Sequence, residues 1–492
     1  MGRKPEDFSK GIQMITKTGI VATLGPATED QDRIRQLIEA GVTTFRLNFS
    51  HGDRQTHGAL LENIRQAAKK FPHAVAVMGD LCGPKIRTGR IEPDGGIITE
   101  GSQVILTAQE IVGTPQRFSI SYPNLIEDVQ IGQRILLDDG SLVLQAESKE
   151  KGILRCKALV GGPLYSRKGV NLPDTDLSIP AITPYDWQWA DWAVENDLDY
   201  LALSFVQQAE EVIRLKQSLV EKGSSIKVVS KIEKPRAVEN LESIIHASDA
   251  VLVARGDLGV EMAAAEVPLI QKRITRLCRR FGKPVIVATQ VLQSMIEHPW
   301  PTRAEVSDIA NAVMDFADAV MLSGETAVGK YPLEAVRGIS QGCGKTEAYM
   351  DTSNLPRPPI ETDPGLHDLS VIARRVAQVV DEVECALVAV GTKTGATARL
   401  LSKARIDVPI LSFCPNPRMN RQISMHYGVL SILCPLMQDL HEFTAYIESC
   451  ILQNGWARKG QRIVILPGRD LMPGRDSQAV ILHTLPESDL QV

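Results

Sequence analysis

Short runs rich in Val, Ile and Leu alternate along most of this chain with longer stretches whose apolar residues recur three and four apart. The runs are GIVATLG from Gly19, TTFRLNF from Thr43, AVAVMGDL from Ala74, YLALSFV from Tyr200, IKVVSKI from Ile226, DAVLVAR from Asp249, PVIVATQ from Pro284 and DAVMLSG from Asp318. Strands that alternate with amphipathic helices imply a parallel sheet, and eight of them predict an α/β fold built on a closed (β/α)8 TIM barrel. Between the runs, Thr28 and Gln31 predict a capping box that opens a helix with Ile34, Leu37 and Ile38 on one face and Gly41 as its stop. Thr302 and Glu305 repeat the device ahead of Val306, Ile309, Val313 and Phe316, a stripe expected to pack on the barrel.

The pattern breaks twice. More than a hundred residues separate the third run from the fourth, and much of that span reads as short strands interrupted by Gly and Pro. Within it, ILLDDGSLVL carries Asp139-Gly140 between apolar runs, a hairpin signal. The segment YDWQWADWAVEND then predicts a helix leading into the fourth run. The second break, DTSNLPRPPIETDPG from Asp351 to Gly365, is polar and proline-rich, as an extended linker would be. Beyond it a helix through Val371, Ile372 and Val376 precedes the strands CALVAV, VPILSF, VLSIL, RIVILPG and AVILHTL. The expected organisation is therefore a catalytic barrel over residues 1–86 and 172–350, a small β domain inserted as a lid over 87–171, and a C-terminal α/β domain for effectors and oligomerisation over 351–492.

Composition narrows the function classes. The chain has 492 residues, 43% of them hydrophobic and 23% charged, with a formal net charge of −5, so it offers no basic footprint for nucleic acid or a membrane surface. No apolar stretch approaches the ~20 residues that span a bilayer, and the polar start MGRKPEDFSKG lacks a secretory core; a cytoplasmic location is expected. Eight scattered cysteines without a C-x-x-C pair read as reduced thiols filling the core.

Polar residues gather just past the predicted strands. Arg46, Asn48, Ser50 and His51 end the second run, Asp80 and Lys85 follow the third, Lys231 and Glu233 the fifth, Arg255, Gly256 and Asp257 the sixth, Thr289 and Gln290 the seventh, and Ser323 to Thr326 the eighth. The carboxyl ends of barrel strands converge on one mouth, where barrel enzymes keep their chemistry. If the fifth and sixth runs are neighbours, Glu233 and Asp257 emerge together with Lys231 beside them. A hard cation takes one or two carboxylates and completes its shell with water and substrate oxygens, so this trio suits phosphoryl chemistry. Arg46, Arg87, Lys231 and Arg255 would supply positive charge, and the helix start after Gly256 would offer free N–H groups to an anion. A surface ion-pair cluster is the plainer reading of the trio, and helix capping the plainer reading of His51, Gln290 and Ser323. QGCGKT (Gln341 to Thr346) lacks the first glycine of a phosphate loop and reads as a frayed helix end, whereas GTKTGATAR (Gly391 to Arg399) follows a strand and opens a helix, as a phosphate nest does.

An ordered set of motifs now resembles the pyruvate kinase family: LNFSHG (Leu47 to Gly52), GDLCGPKIRTG (Gly79 to Gly89), KGVNLP (Lys168 to Pro173), SKIE (Ser230 to Glu233), ARGDLGVE (Ala254 to Glu261), ATQ (Ala288 to Gln290), PTRAEVSDIANAV (Pro301 to Val313) and LSGETAVGKYP (Leu322 to Pro332). The resemblance implies phosphoryl transfer from phosphoenolpyruvate to ADP, giving pyruvate and ATP, the last step of glycolysis. It implies Mg2+, or Mn2+ in its place, on Glu233 and Asp257, with Ala254, Arg255, Gly256 and Asp257 around the substrate. Lys231 would hold the phosphoryl group in flight, Arg46 would contact phosphate, and Thr289 would lie near the carbon that receives a proton. Asn48, His51, Arg87 and Lys168 would face the nucleotide. The family's monovalent-cation region maps to Asn48, Ser50 and Asp80, but Leu81 stands where members have a threonine and Lys85 where they have a glutamate. Loss of an oxygen ligand and gain of a fixed ammonium lead us to expect independence from K+. Asp174, where glycine is frequent, alters the hinge loop. The C-terminal domain would bind a sugar-phosphate or nucleotide effector through Thr392, Lys393, Thr394, Gly395 and Thr397, with Gly468 to Gly474 as a second loop, and bias a homotetramer. Two rival functions share parts of this equipment: a metal-dependent barrel lyase or aldolase acting on a pyruvate enolate, and a catalytically dead metabolite sensor.

Overall fold

The computed structural model describes residues 16–150, 152–352, 360, 366–468, 471 and 478–487. All eight apolar runs form strands: β1 (Gly19–Thr23), β2 (Val42–Asn48), β3 (Ala76–Asp80), β4 (Tyr200–Leu203), β5 (Lys227–Ile232), β6 (Ala250–Ala254), β7 (Val285–Ala288) and β8 (Ala319–Leu322). Each pairs in parallel with its sequence neighbour, and β1 pairs with β8 to close the barrel. The runs lack polar alternation because both strand faces are covered. Val21, Met78, Ala202, Val229, Leu252, Ile286 and Met321 fill the interior, while Ile20, Val77, Leu201, Val228, Val251, Val253 and Val287 pack outward against the helices.

Local signals fare unevenly. Thr302 and Glu305 form the expected capping box on helix Arg303–Met314, but Val306 is exposed and Ala312 joins Ile309 and Val313 on the buried face. The helix Gln31–Glu39 is capped by Asp30, which accepts from Arg33 N, and not by Thr28. The Thr28 hydroxyl instead donates to Thr326 O at 2.9 Å, joining the loops after β1 and β8. QGCGKT is not a frayed end either, since it lies within the helix Pro332–Thr352. Asp351 and Thr352 close that helix, and Ile360 is buried in the C-terminal core; the rest of the linker expected over Asp351 to Gly365 lies outside the described residues, as does most of the loop Gly468 to Gly474.

Between β3 and β4 the chain builds a six-stranded sheet in the order Val170–Asn171, Arg134–Leu137, Leu142–Glu150, Ile153–Val160, Gln103–Thr107 and Arg117–Ser119. Its hairpin pairs Leu137 with Leu142. Asp138, Asp139 and Gly140 turn the chain at φ of 49°, 54° and 84°, the left-handed region that Asp and Gly tolerate best. The helix Pro184–Glu195 follows as expected.

The C-terminal sheet runs Val429–Leu433, Ile410–Cys414, Val388–Gly391, Arg462–Leu466 and Ile481–Thr484, parallel except for the last strand. It docks on the amino-terminal ends of the barrel strands, where Met425 enters the interior cluster. Lys403 donates to Asp318 at 2.5 Å, both side chains fully buried, and Arg421 binds Asp199 at 2.6 Å. The C-terminal domain thus covers the barrel floor, opposite the mouth. All eight cysteines are free thiols, seven of them buried. Among the described residues no helix is long and apolar enough to cross a membrane.

Candidate active site at the barrel mouth

Strand pairing places Lys231 of β5 beside Leu252 of β6 and Ile232 beside Val253. Lys231 and Glu233, two apart, both reach the mouth at the end of β5, while the helix Arg255–Glu261 starts where β6 ends and carries Asp257 in its first turn. The Lys231 ammonium lies 2.8 Å from Glu233 Oε1 and 3.4 Å from Asp80 Oδ1, and it donates to Ser204 Oγ at 2.7 Å. Asp80 also accepts from Arg46, at 2.7 Å from Nε and 2.6 Å from Nη2, and Arg46 donates to Thr23 Oγ1 at 3.1 Å. The second oxygen of Glu233 accepts from Phe205 N at 2.8 Å.

Burial and neighbouring charge set the protonation tendencies here. Burial alone would push the Lys231 ammonium toward neutrality, but Asp80 and Glu233 outweigh it and raise its pKa, keeping it charged. Asp80 is nearly inaccessible, which would raise its pKa, yet Lys231 and Arg46 hold it below the ordinary carboxylate value. Glu233 is raised by burial and, further, by repulsion from Asp257, with Lys231 opposing. Asp257 is likewise raised by desolvation in the cleft, against Lys231 and with added repulsion from Asp80 and from Asp139 at the hairpin tip.

The donor set fits a divalent cation. Two cations, Lys231 and Arg46, face three carboxylates, Asp80, Glu233 and Asp257, and Asp257 makes no ion pair among the described residues. No cluster of three or more His, Cys, Asp or Glu able to hold a metal occurs among them. A pair of carboxylates with a surplus charge suits an ion that completes its shell with water and substrate, as Mg2+ does.

Arg255 departs from its expected role. Its guanidinium binds Asp308 at 2.6 Å and donates to the carbonyl oxygens of Thr289 and Gln290. Its charge is therefore spent inside the wall instead of on a ligand, and it holds the β7 loop against β6. Thr289 and Gln290 take φ of 63° and 53°, conformations costly for residues other than glycine and typical of sites where a fixed backbone serves function. The Thr289 hydroxyl accepts from Gly256 N at 2.8 Å, joining two residues that the sequence placed on the substrate. Ala254 is buried just before that helix start.

Asn48, Ser50 and His51 end or follow β2 and Lys85 follows β3, with Arg87 two residues on. Partial desolvation, with Arg87 and Lys231 nearby, lowers the Lys85 pKa from its ordinary value against an opposing pull from Cys82 and Asp80. Arg87 donates to Arg167 O at 2.8 Å and Lys168 pairs with Asp138 at 3.1 Å, so both are held by partners within the inserted segment. Asn48 Oδ1 accepts from Ser50 N, and His51 O faces His57 Nε2. Far from the mouth, Thr392 accepts from Gly395 N at 3.0 Å to close the loop before helix Ala396–Lys403, leaving Lys393 and Thr394 exposed. Sequence reasoning missed Ser204, which fixes the Lys231 ammonium, and Phe205, whose N–H fixes Glu233. Both follow β4 in LSFV, a position at the mouth but without a charged group to draw notice.

Comparison with known proteins agrees with this layout. Residues 15–336 match the family model "Pyruvate kinase, barrel domain" and residues 370–481 match "Pyruvate kinase, alpha/beta domain". A pyruvate kinase of Geobacillus stearothermophilus is 40% identical over 92% of this chain and 78% of its own length. One from Corynebacterium glutamicum is 40% identical over 96% and 97%. Among solved structures, a pyruvate kinase from Cryptosporidium parvum superposes with a TM-score of 0.88 at 34% identity, covering 96% of this chain and 97% of the other.

Proposed function

The chain belongs to the pyruvate kinase family of glycolytic phosphotransferases, and from that membership we propose how its own residues divide the reaction of phosphoenolpyruvate with ADP. Glu233 and Asp257 hold Mg2+, or Mn2+ in its place. A divalent cation bound there supplies charge neutralisation for a phosphoryl group in transfer. The observation that carries the reading is the buried Lys231 ammonium, braced by Ser204, Asp80 and Glu233 next to a carboxylate that has no cation of its own.

Transfer breaks the bond from phosphorus to the enol oxygen and forms one to the terminal phosphate oxygen of ADP. The transition state is loose and asks for position and charge more than covalent help. Lys231 provides a fixed positive charge whose orientation costs nothing at the moment of reaction. Arg46, anchored on Asp80, presents its remaining N–H groups to phosphate oxygens. The substrate carboxylate docks at the start of helix Arg255–Glu261, where Gly256 N and the Thr289 hydroxyl meet, and this brings Thr289 near the methylene carbon that takes up a proton. Arg87 and Lys168, with Asn48 and His51, receive the nucleotide under the lid, whose closure excludes water and suppresses hydrolysis.

Lys85 replaces the charge of a monovalent cation at Asn48, Ser50 and Asp80, so K+ is not required. The loop Thr392, Lys393, Thr394, Gly395 and Thr397 takes a phosphate-bearing effector, and the enzyme works in the cytoplasm as a homotetramer. A coupled assay for pyruvate tests the central claim. Pyruvate should form from phosphoenolpyruvate only when ADP is present; formation at the same rate without ADP would favour lyase-type or hydrolytic chemistry. Replacing K+ by a tetraalkylammonium salt should leave the rate within about twofold, and a large loss would refute independence from K+.

A further inference from the structure

Glu261 ends the helix that carries Asp257, one turn after it, and its side chain is almost wholly buried. A single oxygen of that carboxylate, Oε1, accepts from two donors. One is Asn171 Nδ2 at 2.7 Å and the other is the Lys234 ammonium. The second oxygen, Oε2, is buried without a partner. A buried carboxylate oxygen left without a hydrogen bond is costly, and in a native structure such a group calls for a reason beyond stability.

The two donors come from different bodies. Asn171 closes the lid strand Val170–Asn171, paired with Leu136 of the lid hairpin. Lys234 directly follows Glu233, and its ammonium lies 5.6 Å from the Phe205 ring centroid, the residue whose N–H holds Glu233. Three segments therefore converge on one oxygen: the root of the lid, the end of β5 with Glu233, and the helix with Asp257. A cleft of about 630 Å³ lies beside this junction, lined by Arg134, Leu172, Asp174, Lys234, Glu261 and Glu266 among others.

We infer that Glu261 is a positioning residue that links the lid to the metal-binding carboxylates, so that the attitude of the lid root sets how Glu233 and Asp257 are presented to a divalent cation. When the lid swings, Asn171 changes its hold on Oε1, and the carboxylate redistributes between Lys234 and the vacant oxygen. Lys234 and the helix then shift the backbone on which Glu233 and Asp257 stand. The inference rests on the metal reading given above.

The test uses the full-length enzyme, with Mn2+ binding followed by electron paramagnetic resonance in the absence of substrates. Wild type should bind Mn2+ and Asp257→Asn should not; indifference to Asp257→Asn would overturn the metal reading and this link with it. Given an intact metal site, Asn171→Ala should weaken Mn2+ binding at least threefold although Asn171 touches neither carboxylate. Glu261→Gln should weaken it about tenfold, the low end for residues that orient metal ligands, and the double variant should be no worse than Glu261→Gln alone. Unchanged Mn2+ affinity in Asn171→Ala, or losses that multiply in the double variant, would overturn the link. Should Glu261→Gln fail to fold, Asn171→Asp replaces it: a carboxylate opposed to Glu261 should weaken Mn2+ more than Asn171→Ala does, and equal or smaller weakening would count against the proposal.

Discussion

Lys231 shows how far a single side chain depends on what surrounds it. Its ammonium is buried with two carboxylates and a hydroxyl, so its charge is fixed before any substrate arrives. Lys231→Met should lower kcat by roughly 10²–10³-fold, the size of effect seen when one preorganised charge-stabilising donor is removed, while phosphoenolpyruvate binding measured by calorimetry stays within a few fold. Equal losses in both would mean that the lysine anchors the ground state. Lys85 makes the complementary case. Lys85→Glu removes the fixed ammonium and puts a carboxylate in its place, so the variant should be slow in tetraalkylammonium salt and accelerated by K+; a rate indifferent to K+ would show that Lys85 does not stand in for the ion. Arg255 carries the opposite lesson. From its place after β6 it reads as a substrate cation, but Asp308 lies 53 residues further on, and no local pattern announces that the two will meet.

Helices and loops obey local chemistry wherever no distant partner competes. The Thr302 hydroxyl accepts from Glu305 N, and Glu305 returns bonds to Thr302 N and to Ser294 N and Oγ, so the predicted box forms and also pins the preceding loop. Thr302→Ala should therefore lower stability by about 1–2 kcal/mol, read as a shift in urea midpoint, with Thr302→Ser close to wild type; no shift in the alanine variant would deny the cap its role. Thr28 had the same credentials, but its hydroxyl goes to Thr326 O across the barrel seam, and Asp30 takes over the cap. The hairpin at Asp139-Gly140 was readable because its backbone requires left-handed residues wherever it lies in the fold.

The molecule as a whole is held together beneath the barrel, on the face away from the chemistry. Asp318 accepts from Lys403 at 2.5 Å and from Arg405 at 3.3 Å. Burial would raise the carboxyl of Asp318, but these two cations hold it below the ordinary value. Asp318→Asn leaves two buried cations short of their counter-charge and should cost roughly 3–5 kcal/mol, seen as a lowered thermal midpoint. A midpoint equal to wild type would show the pair to be dispensable. His426 lies at the same interface, where burial holds its pKa down at about 3 against the pull of Asp318, with Arg399, Lys403 and Lys227 also disfavouring its charged form. The folded state keeps this imidazole neutral while the unfolded chain protonates it below about 6.5. Its stabilising contribution is therefore complete above that value and is lost as the pH falls toward 3, amounting to about 2 kcal/mol at pH 5. The fall in thermal midpoint from pH 7 to pH 5 should accordingly shrink in His426→Gln, and an unchanged fall would place the titration elsewhere.

The strands, the barrel, the hairpin and the residues at the mouth were all legible from order and spacing along the chain, because periodicity and strand ends are local properties that every (β/α)8 closure reads alike. Glu233, Asp257 and Lys231 could be placed together on that ground alone. Who pairs with whom is another matter: Ser204 on Lys231, Asp308 on Arg255, Glu261 between the lid and the barrel, and Lys403 under Asp318 join residues 27, 53, 90 and 85 positions apart. Such contacts are chosen by the need to satisfy buried charge and hydrogen-bonding groups once the backbone has closed, and that need has no signature in the one-dimensional order of residues.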